Sequence, residues 1–461
     1  MAKVKKLLTS DLGLFSIGFA ALFLLHLMNR ETEYVWDARI YMDLGLTFGV
    51  NEFALTNYDY VICGYLFPLV NWFLYKLEAV GIGNISINLS FFHSVLFSFS
   101  LIVVVPKLFE RAFKIKLGAV AKCLFFLVCM LMFKGLLMYP LTDMFSFSFL
   151  CMALYLYFYI IDAGDKRTLL KLPASIGIGV CLGAAYYARP IYLISIIAYF
   201  AVSICKIAYK RSIKDALYMI LLPLLGGAAI AFPQLIINYH HLGVASPGII
   251  TGEAYEGSLY LQQLKWGLEK QRYDSNLDVL NFPSAGVTFY DGIGGRFAAD
   301  IEINSYWDYI VFVFRHPFDV LLMYLRHVFG GMDITYPNFY IKNVYNARGM
   351  IQFLNYSLLF FGIKGIKSSI KKSTWNLDFI GVLLIYMLPV VLCVPTAIET
   401  RFFIGAQVLL FIMACHYCRH IKWKEDFFRN KTAVFHYITF LAVCFMFNGY
   451  LFGTIGIPMS R

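Results

Sequence analysis

The sequence predicts an all-α, polytopic membrane protein, and three observations support that class. Only 15% of the 461 residues are charged and 60% are hydrophobic, whereas soluble domains carry about 25% charged residues. Apolar runs of about 20 residues recur along the chain, the length a helix needs to cross the hydrocarbon layer. Lysine and arginine cluster in alternate connections between those runs, the bias expected of cytoplasmic loops.

Taken in order, about eleven spanning helices are expected, near 11–28, 86–105, 117–138, 144–161, 172–188, 191–208, 216–237, 350–366, 377–395, 402–418 and 433–453. The first follows Lys3, Lys5 and Lys6 and ends in "LLHLMNR". It lacks a small-residue cleavage site and reads as a retained anchor. With the N-terminus in the cytoplasm, the short inner connections hold Lys107, Arg111, Lys114, Lys116 and Lys122, then Lys166, Arg167 and Lys171, then Lys206, Lys210, Arg211 and Lys214. Lys364, Lys367, Lys371 and Lys372 continue the pattern, and Arg419, Lys422, Lys424, Arg429 and Lys431 complete it. The net charge of +11 is therefore a topology signal. No separate basic face with interleaved aromatics points to nucleic acid. The seventh run, with Pro223, Pro233 and "GGAA", reads as a kinked or closely packed span whose neighbours satisfy freed carbonyls. Most of the ten cysteines fall inside apolar runs as small hydrophobes. Only Cys63 is expected outside them, so no disulfide framework is predicted.

The chain 1–461 reads as one transmembrane domain with two long external segments, near 29–85 and 238–349. In the first, "GYLFPLVNWFLYKLEAVGIG" (64–83) mixes polar and apolar residues too often to span and reads as an interfacial helix. In the second, turn-rich sequence precedes the amphipathic "YWDYIVFVFRHPFDVLLMYLRHVFGG", also read as interfacial.

The first external segment opens with "TEYVWDARIYMDLG" (32–45). On a helix, Asp37 and Tyr41 share a face with Ile40 and Leu44, while Arg39 and Asp43 are spaced to pair elsewhere. The spacing gives Asp43 a structural explanation, as the partner of Arg39, and gives Asp37 no such explanation. A carboxylate on an apolar face at a membrane surface is costly without a task, so Asp37 is the candidate catalytic residue. Asp143 follows Thr142 at the expected start of a helix, where capping and the helix dipole explain an acid. Lys134, in "MLMFKGLLMY", is explained by snorkelling.

In this order the motifs resemble the integral-membrane glycosyltransferases of the C-type fold, which include protein O-mannosyltransferases and lipid A aminoarabinose transferases. The resemblance rests on Asp37 and Tyr41 followed by Phe67-Pro68-Leu69 and Trp72, on "YPLTDMFSFSFLCMALYLY" (139–157), on "YYARPIYL" (186–193), on "RHPFDVLLMYLRH", and on "PTAIETRFFIGAQ" (395–407). It covers most of the chain by order and topology. It departs in one place: Tyr65 and Leu66 stand where lipid-modifying members have a basic residue before the Pro-Leu step.

The resemblance implies transfer of a sugar from a polyisoprenyl-phosphate donor to a hydroxyl of a glycan or glycolipid acceptor, on the external face of a bacterial inner membrane. Asp37 would act as base, a role that contributes about 10²–10⁴-fold. Arg401, Arg189 and Arg326, at expected outer helix ends or on the interfacial helix, are candidates for the leaving phosphate, because guanidinium suits bidentate contact. Tyr41, Asp143 and Tyr65 complete the expected substrate-binding set. No cofactor is expected; with no second acid beside Asp37, a divalent cation stays open. Two alternatives also stay open: a polysaccharide polymerase or ligase using a pyrophosphate-linked donor, and a flippase for a lipid-linked glycan. Cys415, His416, Cys418 and His420 have metal-like spacing, but Arg419 and Lys422 beside them repel a cation, and no metal is assigned. "DGIGGRFAAD" (291–300) lacks a flanking strand–helix unit and carries no dinucleotide expectation.

Overall fold

The computed structural model describes residues 10–29, 34, 36–49, 52–59, 63–162, 168–210, 213–250, 258–274, 287–290, 302–338, 348–370, 376–453 and 455–456. The glycine-rich segment 291–300 lies outside the described residues, as do Lys3, Lys5, Lys6, Lys166, Arg167, Arg211, Lys371 and Lys372 of the basic connections. The described residues are all-α apart from three short strands, and the structure is 83% helical. Among the described residues, eight helices are long and apolar enough to cross a membrane. In chain order, the helices are α1 (Asp11–Met28), α2 (Trp36–Thr47), α3 (Leu66–Ala79), α4 (Ile85–Ala112), α5 (Ala119–Met132), α6 (Lys134–Met138), α7 (Thr142–Asp162), α8 (Thr168–Ala188), α9 (Leu193–Lys210) and α10 (Lys214–Leu242). They continue as α11 (Leu259–Glu269), α12 (Tyr306–Arg315), α13 (Pro317–Met332), α14 (Arg348–Ile370), α15 (Leu377–Cys393), α16 (Ile404–His420) and α17 (Lys431–Gly453).

A helix forms at each of the eleven expected positions, but three fall outside the set of eight. The run expected as one span at 117–138 breaks at Phe133 into α5 and α6. The Gly135 amide leaves the helical ladder for the Pro337 carbonyl, 2.8 Å away. The 14 residues of α5 make a rod of about 21 Å, less than the roughly 30 Å of hydrocarbon. α15 stops after 17 residues. α14 has 23 residues, but Arg348, Lys364 and Lys367 dilute its apolarity. The expected interfacial segments form helices: α3 within 64–83, and α12 and α13 separated at His316-Pro317, where proline cannot donate to the preceding turn.

The chain divides into two compact units. The first comprises Met1–Phe126, Leu136–Ala254 and Ser369–Pro389. Ionic ties join particular helix ends within it. Asp11, at the start of α1, bonds Lys107 near the end of α4 and Lys122 near the start of α5, each at 2.8 Å. Arg111 of α4 meets Asp162 at the end of α7 at 2.6 Å. Asp378, at the start of α15, pairs with the buried Lys206 of α9 and accepts a bond from the Tyr157 hydroxyl of α7 at 3.0 Å. These are the ends that the alternation of basic residues assigns to one membrane face, so the ion pairs gather them on one side. α8 and α10 pack backbone to backbone: a Cβ at Gly179 would lie 1.8 Å from the Pro223 carbonyl oxygen, and one at Gly226 2.1 Å from that of Ile176. The small residues of the seventh run thus serve close packing. A π turn, Leu217–Leu221, precedes Pro223.

The second unit comprises Leu127–Gly135, Tyr255–Ser368 and Val390–Arg461. Strands β1 (Lys270–Asp274), β2 (Val287–Tyr290) and β3 (Ile455–Gly456) pair antiparallel in that order, with an irregularity in β1 between Lys270 and Arg272. Leu261, Leu264 and Leu268 of α11 form an apolar core with Tyr309 and Phe312 of α12 and Val320 and Met323 of α13.

Candidate active site

In the first unit, the elements at the ends opposite the ionic ties carry Asp37, Tyr41, Tyr65, Asp143 and Arg189. α2 presents Ala38 and Met42 to the interior, and leaves Asp37 and Tyr41 half-buried on one flank. Leu44 is buried on that flank as expected, whereas Ile40 points outward at 40% exposure. Arg39 and Asp43 make the expected pair at 3.4 Å, with both side chains mostly in solvent, so it contributes little to stability. Trp36, immediately before Asp37, is left-handed at φ 52°, a conformation that costs a non-glycine residue about 1–2 kcal/mol.

The segment 63–65 holds α2 against α8 and α10. The buried Tyr58 stacks on Phe48 at 5.2 Å and donates its hydroxyl proton to the Cys63 carbonyl at 3.0 Å. Gly64 lies directly on α8: a Cβ there would be 2.4 Å from the Tyr187 carbonyl oxygen. The Tyr65 amide donates to Gln234 Oε1 at 3.3 Å, and its hydroxyl donates to the Ile230 carbonyl at 2.7 Å. Tyr65 is 2% exposed, so its phenol is committed to α10. The charge of Asp37 reaches this segment. Burial above all, with Asp37 adding to it, pushes the Cys63 thiol up to about 12, against the hydrogen bond from Tyr58.

Phe67 joins the remaining elements. It is fully buried, with its ring edge-on to Tyr41 at 5.8 Å and to Phe145 at 5.2 Å. Ala188 belongs to the same cluster. Asp143 is therefore two residues from one wall of this contact, and Arg189 one residue from another. The two form an ion pair in which the Asp143 side chain is 1% exposed and that of Arg189 21%. Asp143 lies in the first turn of α7, as the helix-dipole explanation expects, and the guanidinium delivered by the end of α8 gives it a partner as well. Lone burial of a carboxylate is costly, and the partner is 46 positions away in sequence, where no local pattern reveals it.

Arg401 and Arg326 belong to the second unit. Arg401 forks onto Glu399, with Nε–Oε2 at 2.7 Å and Nη2–Oε1 at 3.0 Å, and lies over Phe402. Arg326 is buried. The second unit also contains a group that sequence reasoning missed. Asp333, fully buried, accepts bonds from Arg272 Nη1 at 3.2 Å, Tyr356 Oη at 2.7 Å and Asn448 Nδ2 at 2.7 Å. The one available signal was that Asp333 is the sole acid between Asp319 and Asp378. Its partners are scattered through the chain and have no common spacing.

His420 Nδ1 faces the His416 carbonyl at 2.8 Å. No group of three or more His, Cys, Asp or Glu among the described residues is placed to hold a metal ion. Compared with protein-family models, curated proteins and solved structures, the chain matches none.

The first-unit arrangement combines a half-buried carboxylate, an aromatic wall and a partly exposed guanidinium fixed by a buried acid. Chemically, it can remove a proton from a hydroxyl while holding an anion nearby.

Proposed function

We propose that the protein is a membrane glycosyltransferase that moves a sugar from a polyisoprenyl-phosphate donor to an acceptor hydroxyl, as its resemblance to the C-type fold implies. The observation that carries the reading is the Arg189–Asp143 ion pair, flanked by the cluster in which Phe67 packs on Tyr41, one helical turn from Asp37, and on Phe145. In this reading the chain crosses the membrane eleven times, with α5 and α6 together making the third span, the N-terminus is cytoplasmic, and the site faces outward.

The acceptor oxygen attacks the anomeric carbon as Asp37 takes the hydroxyl proton. The bond from that carbon to the donor phosphate oxygen breaks, its electron pair stays on the phosphate, and the anomeric centre inverts. Arg189 stabilises the departing polyisoprenyl phosphate. Asp143 holds the guanidinium in place, so that its charge meets the anion without reorganising. Tyr65 positions segment 63–65. The reading needs only residues of the first unit.

The test is transfer by purified protein in liposomes supplied with synthetic polyisoprenyl-monophosphate sugars or with pyrophosphate-linked oligosaccharides. Asp37→Asn should abolish transfer from the monophosphate donor while donor binding and thermal unfolding stay as in the parent. Turnover by that variant would remove Asp37 as base. Transfer only from pyrophosphate donors would replace the reading with a polymerase or ligase.

A further inference from the structure

The connection 421–430 between α16 and α17 offers a second binding surface, built without any residue of the proposed transfer site. α17 and the helical segment ending in α16 both belong to the set able to cross a membrane, so the short connection turns at a bilayer surface. It is firmly packed. Phe427 is buried against Phe361 at 5.6 Å and Tyr437 at 5.5 Å. The Trp423 indole donates to the Cys418 carbonyl at 3.1 Å. Residues Trp423–Phe428 wind as a π turn, a rare conformation found often at functional sites.

The acids and bases of this connection are arranged differently. Asp426 accepts the Lys422 amide at 3.0 Å, and Glu425 pairs with the Lys422 ammonium at 3.5 Å. Both acids are thus engaged within the connection. Arg419, Lys424, Arg429 and Lys431 are exposed and make no ion pair among the described residues. Between them, Trp423 and Phe428 are 37% and 67% exposed, with ring centroids 6.2 Å apart.

We propose that this connection binds the headgroup of an anionic phospholipid, with Lys424, Arg429 and Lys431 on the phosphodiester and Trp423 and Phe428 in the acyl boundary. Lysine and arginine give phosphate oxygens charge-assisted hydrogen bonds. Indole rings favour the headgroup level, and juxtamembrane cations are drawn to anionic lipid. A zwitterionic headgroup offers the same phosphate but cancels the attraction with its own ammonium, so the site selects net negative charge.

The experiment is native mass spectrometry of the full-length protein titrated with phosphatidylglycerol or phosphatidylethanolamine. The parent should retain phosphatidylglycerol preferentially. The variant Lys424→Gln/Arg429→Gln/Lys431→Gln should retain it about a hundredfold less, from about fivefold per cation, with unchanged phosphatidylethanolamine adducts. The three side chains are exposed, so folding should survive; if the triple variant misfolds, the three single variants should each lose affinity several-fold. Equal retention of the two lipids by the parent, or equal phosphatidylglycerol retention by parent and variants, overturns the proposal. So does displacement of the lipid by millimolar inorganic phosphate, which would identify a free-anion site.

Discussion

Replacing Arg189 with glutamine tests the central ion pair. The Asp143 side chain is 1% exposed and that of Arg189 21%, so the variant leaves a buried carboxylate without its cation. Removing one partner of a buried pair costs about 3–5 kcal/mol, a large share of a total stability of about 5–15 kcal/mol. Asp143→Asn combined with Arg189→Gln removes both charges and allows an amide–amide contact, so it should recover most of that loss. The assay is denaturant unfolding of detergent-solubilised protein for the parent, both single variants and the double variant, with sugar transfer measured in parallel. Stability should return in the double variant and transfer should not, because Arg189 acts on the phosphate as well as on Asp143. A loss below about 1 kcal/mol in Arg189→Gln, the range of an exposed pair, would refute the buried-pair reasoning. Recovery of transfer together with stability would confine Arg189 to a structural role.

Other consequences are independent of that cycle. Gly64→Ala puts a methyl group 2.4 Å from the Tyr187 carbonyl oxygen, so stability should fall by about 1–3 kcal/mol; an unchanged unfolding curve would show that the contact yields. Asp333→Ala deprives the fully buried Arg272 of its carboxylate and should cost about 3–5 kcal/mol. Tyr356→Phe, which loses one bond to that acid, should cost about 1.5–3 kcal/mol; the order of the two variants in denaturant checks the network. Cys63, held up to about 12 mainly by burial, should resist iodoacetamide at pH 8 in the native protein and react after denaturation, followed by peptide mass spectrometry. Above about pH 9, the unfolded thiol ionises while the folded one stays protonated. Cys63 therefore lowers stability as pH rises from there towards 12, and Cys63→Ser should flatten that slope.

The sequence by itself determined the class, the positions of the helices and which ends share a face. These follow from apolar run length, helical period and the placement of lysine and arginine, all of which are local quantities. It also offered Asp37 as a candidate base, because no residue at helical spacing from it explains an acid on that face. The tertiary structure gave the acid at 143 its cationic partner, because Arg189 arrives from the far end of another helix. It committed the Tyr65 phenol to α10, and it assembled Asp333 with Arg272, Tyr356 and Asn448. It also broke the third apolar run, because the Gly135 amide found a carbonyl at Pro337. Each of these outcomes depends on desolvated polar groups finding partners across long stretches of chain. A buried charge is satisfied by whatever folding brings within about 3 Å, and sequence spacing contains no record of that distance.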